Sequence, residues 1–378
     1  MAVRPFRSYE PALDQFPVDV WARVASRRLR RITPSLLESG DSRGYRPLRE
    51  AIAGYLGASR GVRCTPEQVI VITGVQAGLH LLAQLLCQPG DAVVVEDPVY
   101  PGALMAFENA RAKVIPVPVD AHGIDVSLLN RLAMSPKAVY VTPAHQCPLG
   151  VTMSLDRRLA LLDWARRTGA FIFEDDYDSE YRYSGRPVPA LQGLDQGESV
   201  IFLGTFNKVL FPSLRIGYMV VPLRLAKPLA RQRAYFDRYG NSLDQAILCD
   251  FMTEGHLGRH IRRMRNVYAA RLGALTSAVE HYLKGLLELP AVEAGLCTPA
   301  MLPGEVDALA AQSAAAELDL EAVALERLCR KRTDIHGLLL GFAAFNEGEI
   351  RRAVARLAGA LERLPGVRRA RPPVRALV

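Results

Sequence analysis

"GTFNKVLFPSLRIGYMVVP", residues 204–222, carries one of only six lysines in a chain whose Lys and Arg total 47. Positive charge elsewhere is supplied almost entirely by arginine. Lys208 follows the β-branched run VIFLGTF (200–206), and seven residues further on Arg215 opens a second apolar run, RIGYMVVP (215–222). Both runs read as buried strands. A lysine placed between them, in a chain of this composition, calls for a chemical reason.

Five more runs of the same kind precede these two: VIVITGV (69–75), DAVVVEDP (91–98), AKVIPVPV (112–119), AVYVTPA (138–144) and FIFEDDY (171–177). Most are continuous rather than alternating, as in strands covered by helices on both faces. Helical patterns such as QAGLHLLAQLLCQ (76–88) and LDRRLALLDWARRTG (155–169) lie between them. The pattern predicts an α/β fold with a mostly parallel, seven-stranded sheet. Residues 223–285 read as mainly helical, and 286–378 as a smaller α+β unit ending in EGEIRRAVARLAGALERL. The expected division is an N-terminal arm with part of the small domain at 1–45, a large domain with its trailing helix at 46–280, and a small domain at 281–378.

Composition sets outer limits. Hydrophobic residues make up 49% and charged residues 23% of the 378, ordinary for a globular protein. The N-terminus lacks the apolar core of a secretory signal. No apolar run approaches the roughly 18 residues of a membrane helix, so no membrane partner is expected. Six scattered cysteines without a C-x-x-C pair argue for reduced thiols in a cytoplasm and against a zinc site. The net charge is +8, concentrated in RRLRR (27–31), RHIRRMR (259–265) and the tail GVRRARPPVRALV (366–378). These clusters read as solvated surface, because net charge speaks to solubility before it speaks to partners. No specific nucleic-acid binding is expected from this chain alone.

Ligands of open α/β sheets bind at the carboxyl ends of the strands. Here those ends offer Gly74, Val75 and Gln76 opening a helix; Tyr100 after DP; His145 and Cys147; Asp175 and Tyr177; Thr205, Asn207 and Lys208; and Arg215. A lysine with a reactive amine forms a Schiff base with an aldehyde. A carboxylate holds a pyridine nitrogen protonated, which makes the ring an electron sink. An aromatic face stacks on that ring, and a helix N-terminus, a hydroxyl and an arginine hold a phosphate. Pyridoxal 5′-phosphate combines all of these parts, and Lys208 would carry its aldehyde.

These residues lie in GYRPLREAIAGYL (44–56), TGVQAGLHLL (73–82), EDPVYPG (96–102), VTPAHQCPLGVTMSLDRRLALL (141–162), EDDYDSEYRY (174–183), GTFNKVLFPSLRIGY (204–218) and HLGRHIRRMRNVYAARL (256–272). In that order the motifs resemble the fold-type-I pyridoxal-phosphate superfamily. Within it the chain is most similar to the aminotransferase-like domain of MocR/GabR-type regulators, without their DNA-binding domain. The resemblance implies that Lys208 is the Schiff-base lysine, Asp175 the partner of the pyridine nitrogen and Tyr177 the tyrosine near the ring hydroxyl. It implies that Tyr100 stacks on the ring and that Val75, Gln76, Thr205 and Arg215 form the phosphate cup. Tyr45 matches a tyrosine that reaches the phosphate of a neighbouring subunit, which implies a homodimer with shared active sites. His145 reads as a supporting histidine and Cys147 as an inert small hydrophobe.

The chain departs from the family in three places. Cys147 stands where many aminotransferases have an asparagine, and Asn207 stands where serine is usual before the lysine. The late strand HGLLLGFAAF (336–345) carries no arginine for a substrate carboxylate. Three readings follow. The first is an enzyme acting on an amino acid or amine through an external aldimine and an α-carbanion, by transamination or by elimination, replacement or cyclisation. The second is the effector-sensing domain of a transcription regulator. The third is a scaffold that binds the cofactor without turnover.

Overall fold

Aliphatic and β-branched side chains suit a pleated surface covered on both faces, and the seven apolar runs are strands. The computed structural model describes residues 3–185, 188–196, 198–238, 240–304 and 306–365. Its large sheet contains β1 (Val69–Ile72), β2 (Ala92–Asp97), β3 (Lys113–Asp120), β4 (Gly123–Ile124), β5 (Ala138–Val141), β6 (Phe171–Asp176), β7 (Val200–Thr205) and β8 (Gly217–Val220). They are arranged β1-β8-β7-β6-β5-β2-β3-β4. The strands from β7 through β3 run parallel, while β8 is antiparallel to both neighbours. The eighth strand, β4, pairs at the edge through Val119–Ile124 and Asp120–Gly123. Two residues are too few to stand out as an apolar run, so only seven strands are legible in the sequence.

Alternate strand residues point to opposite faces, and each face has its own core. Ile70, Ile72, Val93, Val95, Phe173, Leu203 and Met219 pack with Leu79, Leu82 and Phe107 on one side. These last three belong to α3 (Val75–Leu86) and α4 (Pro101–Asn109), and Leu229 of α6 (Leu223–Phe236) joins them. On the other side Val69, Val71, Phe202 and Val220 pack with Leu48, Ile52 and Leu248, from α2 (Arg46–Arg60) and α7 (Ser242–Thr253). Val94, Val139, Val141 and Ile172 meet Leu161 and Trp164 of α5 (Leu155–Thr168). That helix starts where Ser154 accepts the Arg157 N–H and stops at Gly169, whose φ of 72° is a left-handed cap that suits glycine.

A second sheet of β10 (Val323–Ala324), β11 (Gly337–Gly341) and β9 (Cys297–Met301), in that order, is antiparallel. It shares a core with α8 (His256–Tyr282), α9 (Ala308–Glu317) and α10 (Glu347–Leu361). Helix α10 opens with a capping box between Asn346 and Glu349, the sequence signature of a helix start. The N-terminal arm joins this sheet: Phe6 bridges Gly341 and Pro5 accepts the Glu321 N–H at 2.7 Å. A β-carbon at Gly341 would sit 1.9 Å from the Arg7 carbonyl oxygen, so the close approach of the arm requires glycine there. Helix α1 (Val18–Arg30) packs instead with α7 beside the large sheet, through Trp21 and Val24. Asp97, at the end of β2, accepts the backbone N–H groups of Arg330, Lys331 and Arg332 at 2.8, 2.8 and 3.0 Å. This contact seats the segment before β11 against the large sheet.

Several arginines of the basic clusters are bound within the chain. Arg27 pairs with Glu254, Arg28 with Asp250, and Arg265 donates to the Glu180 carbonyl. The basic tail at 366–378 lies outside the described residues. Among the described residues, no helix is long and apolar enough to cross a membrane.

Candidate active site

The C-terminal ends of the parallel strands open into a cleft of about 240 Å³. Its lining comes from every strand end named above. Gly74, Val75 and Gln76 follow β1, and Tyr100 follows β2. Tyr140 and Cys147 come from β5 and its loop, Asp175 and Tyr177 from β6. Thr205 ends β7, Asn207 and Lys208 follow it, and Pro212 and Arg215 precede β8. Tyr9 closes the cleft from the N-terminal arm. A larger cleft, about 490 Å³, lies elsewhere between Arg60, Glu180, Arg182 and Arg262. It contains none of the strand-end lysine, carboxylate and tyrosine groups, so the smaller cleft is the chemical one.

The walls of the cleft are fixed by close packing. Gly74 has φ of 127°, and a β-carbon there would meet the Asn207 amide nitrogen at 3.6 Å. With no side chain to cap it, the start of α3 leaves its first-turn N–H groups without a side-chain acceptor, an anion-binding arrangement. Asn207 Oδ1 accepts the Ile216 N–H at 3.1 Å, and Thr205 Oγ1 accepts the Asn207 N–H at 3.1 Å. These bonds fold the lysine loop back on β8. Arg215 is held at φ of 53°, in the left-handed region, a conformation a non-glycine residue keeps only when its surroundings determine it. A β-carbon at Gly102 would strike Gln76 Oε1 at 2.1 Å and the Tyr100 ring at 2.4 Å, so glycine there lets the Tyr100 ring lie along the cleft.

The electrostatics are unbalanced. Among the described residues, neither Lys208 nor Arg215 makes a hydrogen bond or an ion pair. The Lys208 amine lies 6.0 Å from the centroid of the Tyr9 ring. Burial lowers the Lys208 pKa, as expected when a lone ammonium is desolvated. Asp175 is 4% exposed, and its Oδ1 has no hydrogen-bond partner. Its Oδ2 accepts the Tyr140 hydroxyl at 2.6 Å. Burial, with Asp176 and Asp178 adding like charge, pushes the Asp175 pKa up to about 7. Glu96 is likewise raised to about 7 by burial, against hydrogen bonds from Thr142 and Gln146.

Behind Tyr177 lies a buried polar chain. The Tyr177 hydroxyl donates to the His145 carbonyl at 2.9 Å, and His145 Nδ1 is 3.0 Å from Asp178. Tyr9 meets the Tyr177 ring edge-on at 5.4 Å and its hydroxyl lies 3.0 Å from Cys147 Sγ. Burial pushes the Cys147 thiol up to about 12, which leaves it protonated and unreactive.

Eight of the nine residues that the resemblance assigns to the cofactor site, all but Tyr45, line this one cleft, and of the other strand-end residues Gly74, Cys147 and Asn207 line it while His145 does not. Tyr45 is half-buried against the α2–α7 side, its N–H bonded to Gln245 Oε1 at 2.8 Å. Sequence reasoning passed over Tyr9, Tyr140 and Asp178. Tyr140 had one faint signal, a polar-tipped aromatic within an otherwise aliphatic strand. Among the described residues, no group of acidic, histidine and cysteine side chains is placed to hold a metal.

The family model described as aminotransferase class I and II matches residues 5–312. The chain is 40% identical, over 93% of its length and 71% of the other's, to a probable rhizopine catabolism regulatory protein, MocR, of Rhizobium meliloti. It is 30% identical to aromatic-amino-acid aminotransferase 1 of Thermococcus litoralis, over 92% of this chain and 85% of that one. Among solved structures, a Pyrococcus horikoshii kynurenine aminotransferase superposes with a TM-score of 0.87 at 29% identity, covering 94% of this chain and 90% of that one.

Proposed function

The chain belongs to the aminotransferase class I and II family, whose cofactor is pyridoxal 5′-phosphate, and from that premise we propose that Lys208 is the amine that carries the cofactor in a transferase acting on an amino acid or amine. One observation carries this reading. A single cleft holds two cations without a hydrogen-bond or ion-pair partner among the described residues, Lys208 and Arg215, and a carboxylate oxygen without a donor among them, Asp175 Oδ1. Buried polar groups are normally satisfied, so the buried Asp175 Oδ1 asks for a donor, and the part-buried Lys208 and the exposed Arg215 put two cations on the same cleft. A ligand for this set would carry an anionic group at one end, an electrophile for an amine, and a protonated ring nitrogen. Pyridoxal phosphate fits that donor set.

When bound, the cofactor supplies an aldehyde for the substrate amine and a protonated ring that withdraws electrons. The protein supplies the rest. Arg215, Thr205 Oγ1 and the first N–H groups of α3 would hold the phosphate. Asp175 Oδ1 would hold the proton on the ring nitrogen, and the Tyr100 ring would cover one face. Tyr177 would face the ring hydroxyl, its position set by the His145 carbonyl. Lys208, its pKa lowered by burial, is suited to attack once it has lost its proton and then to take the substrate α-proton as general base.

The deciding experiment incubates the holoprotein with single amino acids and a keto-acid acceptor. The absorption band is followed together with oxo-acid formation. We expect a spectral change with at least one amino acid, accompanied by stoichiometric or catalytic oxo acid. The 40% identity to a regulatory protein over 93% of the chain supports a second reading, an effector-sensing domain. That reading predicts the spectral change without product. No change with any amine leaves only a cofactor-binding scaffold.

We also propose a homodimer in which Tyr45 serves the partner's phosphate site. Tyr45 lies away from the cleft of its own chain, half-buried, with its hydroxyl free of any hydrogen bond among the described residues. A hydrogen bond to a charged group contributes about 1.5–3 kcal/mol, so Tyr45→Phe should weaken cofactor retention about ten- to a hundredfold without unfolding the chain. Dilution that splits the dimer should release cofactor. A fully loaded monomer, measured by light scattering and absorbance together, would remove Tyr45 from the site.

A further inference from the structure

Tyr140 is the only hydrogen-bond donor to Asp175 among the described residues. We propose that Tyr140 is a positioning residue. It fixes which oxygen of Asp175 faces the cleft and readies that oxygen to hold a proton on the cofactor's ring nitrogen. The inference rests on the cofactor reading above and adds to it a residue outside the Lys208–Asp175–Tyr177 set.

The geometry is specific. Tyr140 lies on β5 and pairs with Phe173 of β6, two residues before Asp175. It is fully buried, and its ring packs against Phe107 at 6.3 Å, which in turn stacks on Phe173 at 5.9 Å. The phenol is therefore held by the core, and the carboxylate turns to meet it. With Oδ2 bound at 2.6 Å, Oδ1 is the oxygen left without a partner. Tyr140 itself lines the cleft.

The charges around Asp175 make a donor necessary. Its acidic neighbours are Asp176, Asp178 and, from β2, Glu96. The buried Arg60 is bound to Asp176 at 2.7 Å. Cys147 and Tyr100 facing the same carboxylate stay neutral, their pKa values raised by burial. Burial and the Asp175 charge also hold the Tyr140 proton on its oxygen, so Tyr140 donates throughout the working range. Its hydrogen bond favours the ionised form of Asp175. Without it the carboxylate becomes a stronger base, and the proton shared with the ring nitrogen moves toward Asp175.

The test is Tyr140→Phe in the holoprotein, reconstituted with pyridoxal phosphate labelled with 15N in the ring. Removing one hydroxyl keeps the ring volume and the core packing. We expect the nitrogen resonance to move from the protonated toward the unprotonated position at neutral pH. Turnover should fall about ten- to a hundredfold, the usual effect of a hydrogen bond to a charged group, with KM changed by less than about threefold. The borohydride adduct at Lys208 should persist. An unmoved resonance with turnover within about twofold of wild type overturns the proposal. If the variant does not fold, 3-fluorotyrosine at position 140, a stronger donor of nearly the same shape, should move the same resonance in the opposite direction. An unmoved signal then overturns the proposal equally. Absence of any Lys208 adduct in the wild type would instead defeat the cofactor reading itself.

Discussion

Lys208→Ala should take up pyridoxal phosphate yet give no borohydride-stable adduct, with turnover lower by about four orders of magnitude or more. The size of the effect follows from the two tasks assigned to one amine. A positioned general base contributes typically about 10²- to 10⁴-fold, and the nucleophilic role adds to it. Removal of the amine should leave cofactor binding largely intact, because Arg215, Thr205 and the start of α3 remain. The fold should also survive. Lys208 makes no hydrogen bond or ion pair among the described residues, and its loss relieves the desolvation that lowers its pKa. Lys208→Arg is the sharper control: a guanidinium keeps its proton at any working pH, so it should be as inactive as alanine despite the retained charge. Peptide mapping after borohydride reduction decides the matter. An adduct elsewhere in the wild type, or near-normal turnover in either variant, would remove Lys208 from the chemistry.

The strands were legible because they are buried on both faces, so their apolar runs are unbroken; β4 was not, being two residues long. Lys208, Asp175 and Arg215 stood out because each is polar at, or within two residues of, the end of such a run. The residues that were passed over depend on contacts that no local pattern records. Tyr9 reaches the cleft only because Phe6 pairs with Gly341, far along the chain. Its φ of 60° leaves no trace in the sequence. Tyr140 sits inside an apolar run, and its target is set by the register of β5 on β6. Asp178 and His145 are separated by 33 residues and meet only when both strand ends are in place. Apolar period and position report which face a residue lies on; they do not report which polar atoms will meet across a loop.

Asp175→Asn should keep the cofactor and the Lys208 adduct but lower turnover by about two to four orders of magnitude. An amide cannot balance a positive charge on the ring nitrogen, and a neutral pyridine is a poor electron sink. Binding should survive because the phosphate contacts and the Tyr100 face are untouched. The same substitution has an independent signature in the protein without cofactor. There, burial raises the folded-state pKa of Asp175 to about 7, above its unfolded value. A carboxyl shifted in that direction favours folding while protonated, and the advantage is lost as pH rises from about 4 to about 7. Wild-type apoprotein should therefore lose stability over that interval in part through Asp175, and Asp175→Asn should lose less. Cofactor binding should restore the wild type most strongly above pH 7, where the ionised carboxylate gains a cationic partner, and should restore the variant far less. Denaturant titrations of both proteins, with and without cofactor at pH 5 and pH 8, measure this directly. Equal pH dependence in the two apoproteins, together with near-normal turnover in the variant, would shift the role to Asp176. That residue follows Asp175 on β6 and so points to the opposite face, where its Oδ2 accepts from Arg60 at 2.7 Å, and it does not line the cleft.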